Sequence, residues 1–161
     1  MMRRRWHGAP LARADMQRHH LIPCLLSRQP QMAEFFQQLR PEGFCLQQFS
    51  QNGVCLPASE RAALLSGYAL HRGPHPGYND VVSARVEVMR RHFADMAGSD
   101  LRGARRVAVM RLHLLQEATR RALTDQHRGL FRLNKRDPMR IFADRPFLDE
   151  AIDSMFAEIR E

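Results

Sequence analysis

The stretch that decides the fold is Leu70-His71-Arg72-Gly73-Pro74-His75-Pro76-Gly77-Tyr78-Asn79. Pro74 and Pro76 suit the start of a helix and not its interior. Apolar residues then recur at spacings of four, three, four and three until Gly98: Val82, Val86, Met89, Phe93 and Met96. This period predicts a long amphipathic helix with two histidines at its entry.

His71 and His75 are four residues apart, a spacing at which two side chains can share a metal ion. The amino-terminal end of a helix carries partial positive charge, which disfavours imidazolium and keeps both rings in the neutral form that binds metal. The same end attracts phosphate oxygens. A loop histidine and a capping histidine are the alternative interpretations.

A second pair, His19-His20, precedes Leu21-Ile22-Pro23, and the sequence predicts a short strand over 20–23. Neighbouring residues on a strand point to opposite sides, so the two rings cannot easily play the same part. This division suits hydrolysis, because one imidazole can bind a metal while the other takes a proton from water.

Between the two pairs lies Gln51-Asn52-Gly53, in which Asn-Gly is a strong turn signal. We therefore expect a turn between two short strands, Gly43–Gln47 and Val54–Leu56. Asn52 has two interpretations, either ordinary turn chemistry or an amide that orients the base or its strand by hydrogen bonding.

The whole chain of 161 residues is predicted to be a mostly helical α+β protein. We expect a flexible basic arm (1–18), a core (19–97) and a helical extension packed on that core (98–161). Further helices are expected over 30–40, 58–66 and 101–126, and from Pro146 to Ile159.

The net charge of +8 is unevenly distributed. Residues 101–140 carry eleven basic and three acidic side chains, and three of the arginines, Arg102, Arg105 and Arg106, are candidates for binding substrate phosphate. A solvated surface is the alternative. No stretch is apolar enough for a membrane span and no apolar segment follows the first arginines, so we expect a cytoplasmic protein as encoded, with non-classical export still open.

The order Arg18-His19-His20-Leu21-Ile22-Pro23, then Asn52-Gly53-Val54-Cys55-Leu56-Pro57, then Leu70 to Asn79 resembles the AHH family. That family belongs to the HNH/endonuclease VII superfamily of ββα-metal (His-Me finger) nucleases. The resemblance covers roughly residues 17–97. It implies a core of two antiparallel strands and a helix around one divalent cation.

The resemblance also implies roles for individual residues. His19, His71 and His75 would bind the metal, His20 would be the general base and Asn52 would hold the base region in place. The activity implied is metal-dependent hydrolysis of phosphodiester bonds, with DNA favoured and no sequence specificity. Zn²⁺, Ni²⁺, Mg²⁺ and Mn²⁺ are all candidates for the metal, although three imidazoles favour the first two in affinity.

One residue departs from the family pattern. The family usually has alanine or glycine before the paired histidines, where this chain has Arg18, which either points outward to phosphate or indicates a looser site. Many relatives are toxic tips of secreted bacterial proteins, and the resemblance therefore also implies a possible inhibitory, immunity-type partner.

Two other interpretations stay open. In the first, the chain is a structural zinc module without catalysis, and Cys24 or Cys55 is the fourth ligand. In the second, it is a basic helical nucleic-acid-binding protein in which residues 101–140 bind the nucleic acid. An odd number of cysteines, three, argues against a disulfide framework.

Overall fold

The computed structural model describes residues 15–125 and 133–134 of the chain. The strands are β1 (Met16–His20), β2 (Gly53–Pro57), β3 (His71–Arg72) and β4 (Leu133–Asn134). The α-helices are α1 (Pro30–Gln38), α2 (Phe49–Asn52), α3 (Glu60–Ser66), α4 (Pro76–Ala97) and α5 (Leu101–Thr124). Short 3₁₀ helices cover Cys24–Arg28 and Arg40–Glu42. The predicted mostly helical α+β class is confirmed.

Strands β1 and β2 form an antiparallel pair in which Met16 lies opposite Pro57 and His20 opposite Gly53. The predicted strand over 20–23 is wrong in its placement, because the strand ends at His20. Leu21 and Ile22 instead enter the core, where both are fully buried. The strand also begins three residues before the expected start of the core at 19.

The predicted hairpin around Asn-Gly is wrong, although its second strand, Val54–Leu56, is confirmed within β2. The stretch 43–47 forms no strand, and Asn52 is the last residue of α2 rather than part of a turn between strands. Phe44 and Leu46 are both buried, as alternation predicts, but they enter the core from an irregular segment. The Leu46 carbonyl accepts a hydrogen bond from the Asn52 side chain, so this backbone group is satisfied without a ladder partner.

Helices α4 and α5 form an antiparallel pair joined by three residues, and the two predicted helices are confirmed. Pro76 is the first residue of α4, and the Asp100 carboxylate caps α5 by accepting from the Gly103 amide at 2.8 Å. Their facing sides share one apolar core with α1, whose largest fully buried members include Tyr78, Leu112, Leu115 and Leu123.

Strand β3 pairs in parallel with β4, which follows α5, with His71 opposite Leu133. The expected arm lies outside the described residues up to position 14, and so does the helix expected from Pro146. Within residues 15–125 and 133–134, no helix has both the length and the apolar character that crossing a bilayer requires.

Candidate metal centre

Three histidines from separate elements converge at the end of the β1–β2 pair. His19 comes from β1, His71 from β3, and His75 is the residue that precedes the first turn of α4. One ring nitrogen of each lies within 4.8 Å of those of the other two. We call this group the three-histidine cluster. It is the set of side chains predicted to bind metal.

Side-chain amides fix the orientation of two of these rings. His71 Nδ1 lies 2.8 Å from Gln17 Oε1, and His75 Nδ1 lies 3.2 Å from Asn79 Oδ1. Because an amide oxygen only accepts hydrogen bonds, each Nδ1 carries the proton and each Nε2 presents a lone pair. The two Nε2 atoms face each other at 3.2 Å. Two facing lone pairs repel unless a cation lies between them.

His19 completes the arrangement. Its side chain is only 3% exposed, and its Nε2 is buried without a hydrogen-bond partner within residues 15–125. A buried polar atom left without a partner is rare and needs an explanation. In a tetrahedral zinc site, Zn–N distances of about 2.0–2.1 Å put the ligand nitrogens about 3.3 Å apart. The 3.2 Å between the Nε2 atoms of His71 and His75 matches this spacing, and the three histidines together could hold a divalent metal ion.

The environment keeps all three rings neutral. Burial, followed by the charges of His75, His71 and His20, lowers the pKa of His19 to about 3. Burial and the neighbouring His75 lower the pKa of His71, and burial lowers that of His75, partly offset by its hydrogen bond to Asn79. Neutral imidazole is the form that binds metal, so the cluster is ready for a cation at neutral pH.

Tyr78 packs against two rings of the three-histidine cluster. Its ring lies edge-on to His19, with centroids 4.9 Å apart, and to His75 at 5.7 Å. Its hydroxyl is fully buried and donates to the Leu21 carbonyl at 2.5 Å, and burial raises its pKa. Tyr78 therefore joins the first turn of α4 to the chain that leaves β1.

Asn52 is fully buried, and its side chain is also hydrogen-bonded to the segment that follows β1. Its Nδ2 donates to the carbonyls of Ile22 and Leu46 at 2.8 Å each, and its Oδ1 accepts from the Ile22 amide at 2.8 Å. Gln116 of α5 donates to the same Oδ1 at 3.2 Å. All donors and acceptors of the amide are thus engaged inside the protein, which gives Asn52 a positioning role.

His20 lies on the opposite face of β1, as strand alternation requires. Its ring meets the ring of Phe49 edge-on, with centroids 5.6 Å apart, and Arg18 lies 3.9 Å above the same Phe49 ring. Burial, with a smaller contribution from the Arg18 charge, lowers the pKa of His20. His20 is therefore a neutral, partly exposed imidazole outside the three-histidine cluster.

The candidate arginines separate into two places. Arg18 lies beside His20, but Arg102, Arg105 and Arg106 occupy the first two turns of α5. Tyr78, near the start of α4, is hydrogen-bonded to Thr119, near the end of α5, so the first turns of α5 lie at the far end of the pair. At 1.5 Å per residue the 22-residue α4 spans roughly 33 Å. These three arginines therefore lie about one α4 length from the three-histidine cluster, a distance close to one turn of a nucleic-acid duplex.

The cysteines expected as a fourth ligand do not join the cluster. Cys24 Sγ lies 3.7 Å from the Leu46 carbonyl oxygen, and Cys55 is exposed opposite Arg18, on the face away from His19. Among the described residues, the histidines form the one group of three or more potential ligands. This part of the chain therefore offers one ligand fewer than the four of a closed structural zinc site.

Sequence reasoning missed three supporting side chains, Gln17, Phe49 and Gln116. Strand alternation could have found Gln17, because it lies two residues before His19 on the same face of β1. Phe49 and Gln116 contact the site through tertiary packing, and no local pattern identifies them.

Comparison with known proteins agrees with this geometry. Residues 1–114 match the model of AHH, a nuclease family of the HNH/ENDO VII superfamily with conserved AHH. No curated protein and no solved structure matches the chain. The matched segment covers more than half of the 161 residues and contains all three clustered histidines together with His20 and Asn52. The chain therefore belongs to the AHH nuclease family.

Proposed function

We propose that this protein is an endonuclease that hydrolyses phosphodiester bonds with one divalent metal ion and a histidine general base. The observation that carries the proposal is the convergence of one ring nitrogen from each of three histidines, together with a buried His19 Nε2 that has no partner within residues 15–125. Family membership supplies the reaction class. The net charge of +8 favours a polyanionic substrate.

In this proposal the three-histidine cluster holds the metal. A bound cation would offset the negative charge that develops on the phosphate and on the leaving group. Gln17 and Asn79 keep the Nδ1 atoms protonated, so that Nε2 faces the ion. Within residues 15–125 and 133–134 the cluster supplies three ligands, one fewer than the four of a closed structural zinc site.

His20 accepts a proton from the attacking water. It is the last residue of β1, and its backbone adjoins that of His19, with Cα atoms about 3.8 Å apart. The charge of His20 contributes to the lowered pKa of His19, so the two rings are close enough to interact across the strand end. A neutral ring with a lowered pKa is already in the basic form at pH 7. Asn52 acts through the backbone, by fixing where the chain leaves β1.

DNA is the favoured substrate, bound without sequence specificity. Arginines of α5, about one helical turn of duplex away, would contact backbone phosphates rather than the scissile bond. Arg18 lies beside the proposed base, because both side chains contact Phe49.

The test is cleavage of plasmid DNA and of total RNA by purified protein with Mg²⁺, Mn²⁺, Ni²⁺ or Zn²⁺, with and without EDTA. We expect cleavage that EDTA abolishes and that His20→Ala reduces by about 10²–10⁴-fold, the usual contribution of a general base. His92→Ala is the matched control, because His92 lies on α4 outside the cluster. Equal cleavage by His20→Ala and wild type would overturn the assignment of the base.

A second readout separates catalysis from structure. Under the structural-zinc alternative, metal removal unfolds the protein and His20→Ala is silent. Under the proposal, His20→Ala keeps its metal and its melting temperature and loses cleavage. Calorimetric metal titration and thermal melting of the same two variants therefore distinguish the two interpretations.

A further inference from the structure

The face of β1 opposite the three-histidine cluster is organised around one aromatic ring. Arg18 and His20 are two residues apart on this face, and both contact Phe49. The Arg18 guanidinium carbon lies 3.9 Å from the ring centroid, and the His20 ring meets Phe49 at 89°. One side chain thus sets the positions of the arginine and of the proposed base.

The position of Phe49 is itself determined by a glycine. A Cβ atom built on Gly53 would fall 2.3 Å from Phe49 Cδ2 and 2.5 Å from the Phe49 carbonyl oxygen. Such distances are shorter than real contacts, so the ring lies where only glycine leaves room for it. Gly53 is also the strand partner of His20. Phe49 is therefore seated directly against the end of the β1–β2 pair.

Arg18 forms no salt bridge with a carboxylate within residues 15–125, in contrast to five other arginines of that range. Salt bridges occupy five arginines: Arg72 with Glu60, Arg90 and Arg91 with Glu87, and Arg120 and Arg121 with Glu117. Within residues 15–125, the recorded contact of the Arg18 guanidinium is the face of Phe49. Among the described residues, no carboxylate compensates its positive charge on this exposed face beside His20.

We propose that Arg18, held over Phe49, forms a phosphate-binding subsite that takes a backbone phosphate next to the scissile one. The inference deepens the proposed nuclease function and rests on it. Stacking uses the flat face of the guanidinium and leaves the N–H donors at its edge free for bidentate hydrogen bonds to phosphate oxygens. Phe49 is the positioning residue that orients the cation.

The geometry explains the departure from the family pattern. A small residue at position 18 would leave the Phe49 ring uncovered on this face, whereas Arg18 covers it and adds a cation beside His20. Because the ring already contacts Arg18, His20 and Gly53, it is a support and not a platform for stacking a nucleobase. The ligand class is therefore the phosphodiester backbone.

The test measures binding of a labelled single strand and a labelled duplex of about 20 base pairs in EDTA, so that no cleavage occurs. Affinity is recorded from about 50 to about 200 mM salt. For Arg18→Gln we expect the slope of log affinity against log salt to become shallower by about 0.7–0.9, the value of one phosphate contact. Arg91→Gln, an equal charge change on the far half of α4, is the control and should leave the slope close to wild type.

Phe49 is tested by the same assay. Phe49→Leu removes the ring face and should weaken binding only when Arg18 is present, so the double variant with Arg18→Gln is expected to be no weaker than Arg18→Gln alone. Phe49→Tyr keeps the ring and should restore binding, which keeps the test usable if the leucine variant does not fold. In cleavage assays, Arg18→Gln should raise KM with kcat nearly unchanged.

The inference is overturned if Arg18→Gln has the wild-type salt slope, or if it loses no more binding affinity than Arg91→Gln does. It is also overturned if Phe49→Leu and Arg18→Gln weaken binding independently. Binding in EDTA does not depend on turnover. A protein that binds through Arg18 but never cleaves would contradict the proposed function and leave the subsite standing.

Discussion

The two faces of β1 give neighbouring histidines opposite environments. His19 is 3% exposed, its Nε2 has no hydrogen-bond partner within the described chain, and its pKa is lowered to about 3. His20, the next residue, is partly exposed and contacts an aromatic ring. The chemistry of an imidazole is thus set by the side of the strand on which it lies, because the pleat sends one ring inward and the next outward.

The largest effect that separates the two faces is on metal affinity. His19→Ala removes one of three ligands and should weaken Zn²⁺ or Ni²⁺ binding by about 10³-fold, a third of a binding free energy of about 10–16 kcal/mol. His20→Ala should leave the affinity unchanged. Isothermal titration calorimetry measures both. Equal losses in the two variants would mean that the faces are not chemically distinct.

Loss of Asn52 should affect both faces together, because this residue fixes the point at which the chain leaves β1. Asn52→Ala orphans buried backbone groups of Ile22 and Leu46. We expect a loss of about 3 kcal/mol in the free energy of unfolding, since each orphaned group costs about 1–3 kcal/mol. Urea denaturation measures it, with Gln48→Ala as the control, because Gln48 is exposed and its side chain caps nothing. A change below about 1 kcal/mol would contradict this role.

Gln17 sharpens the comparison, because it shares the inner face with His19 while the adjacent Arg18 belongs to the outer face. Gln17→Ala removes the partner of His71 Nδ1 and should lower metal affinity by about 10–100-fold. Gln17→Glu keeps an acceptor and should retain affinity, and Arg18→Ala should leave it unchanged. If Arg18→Ala were as damaging as Gln17→Ala, the inner and outer faces would not act separately.

A further difference between the two faces concerns the pH dependence of stability. In metal-free protein the unfolded chain takes up a proton near pH 6.5, whereas folded His19 does so only near pH 3. The unfolded state therefore binds more protons below pH 6.5, and stability should fall as the pH drops toward 3. One such group contributes about 1.4 kcal/mol per pH unit. Thermal melts in EDTA should show a flatter pH dependence of the melting temperature for His19→Gln than for wild type. His92→Ala should keep the wild-type pH dependence.

The long helices could be predicted from the sequence, and the strand pairing could not. Helix α4 has an apolar period, prolines at its start and Gly98 after its end, all local signals. The partner of β2 is more than thirty residues away along the chain. Asn-Gly is a strong local turn signal, yet Asn52 does not lie in a turn between two strands. Burial of its side-chain amide and the tertiary hydrogen bonds of that amide outweigh the local preference.

The sequence predicted which residues form the candidate site, but not how their side chains are oriented. The histidine spacings and the family resemblance identified which residues to consider. The orientation of each ring depends on amides that approach from elsewhere, such as Asn79 on α4 and Gln17 on β1. The arginines of α5 show the same limit, since a basic helical face does not reveal which end of the helix lies near the site.

The pairing of β3 with β4 determines how short a working fragment can be. The family match stops at residue 114, yet Gln116 and Thr119 lie beyond it, and so does the strand that runs alongside His71. A fragment trimmed to the matched boundary would keep every candidate ligand while losing the last turns of α5 and the edge that flanks one of those ligands. A fragment that keeps both features therefore extends at least to Asn134.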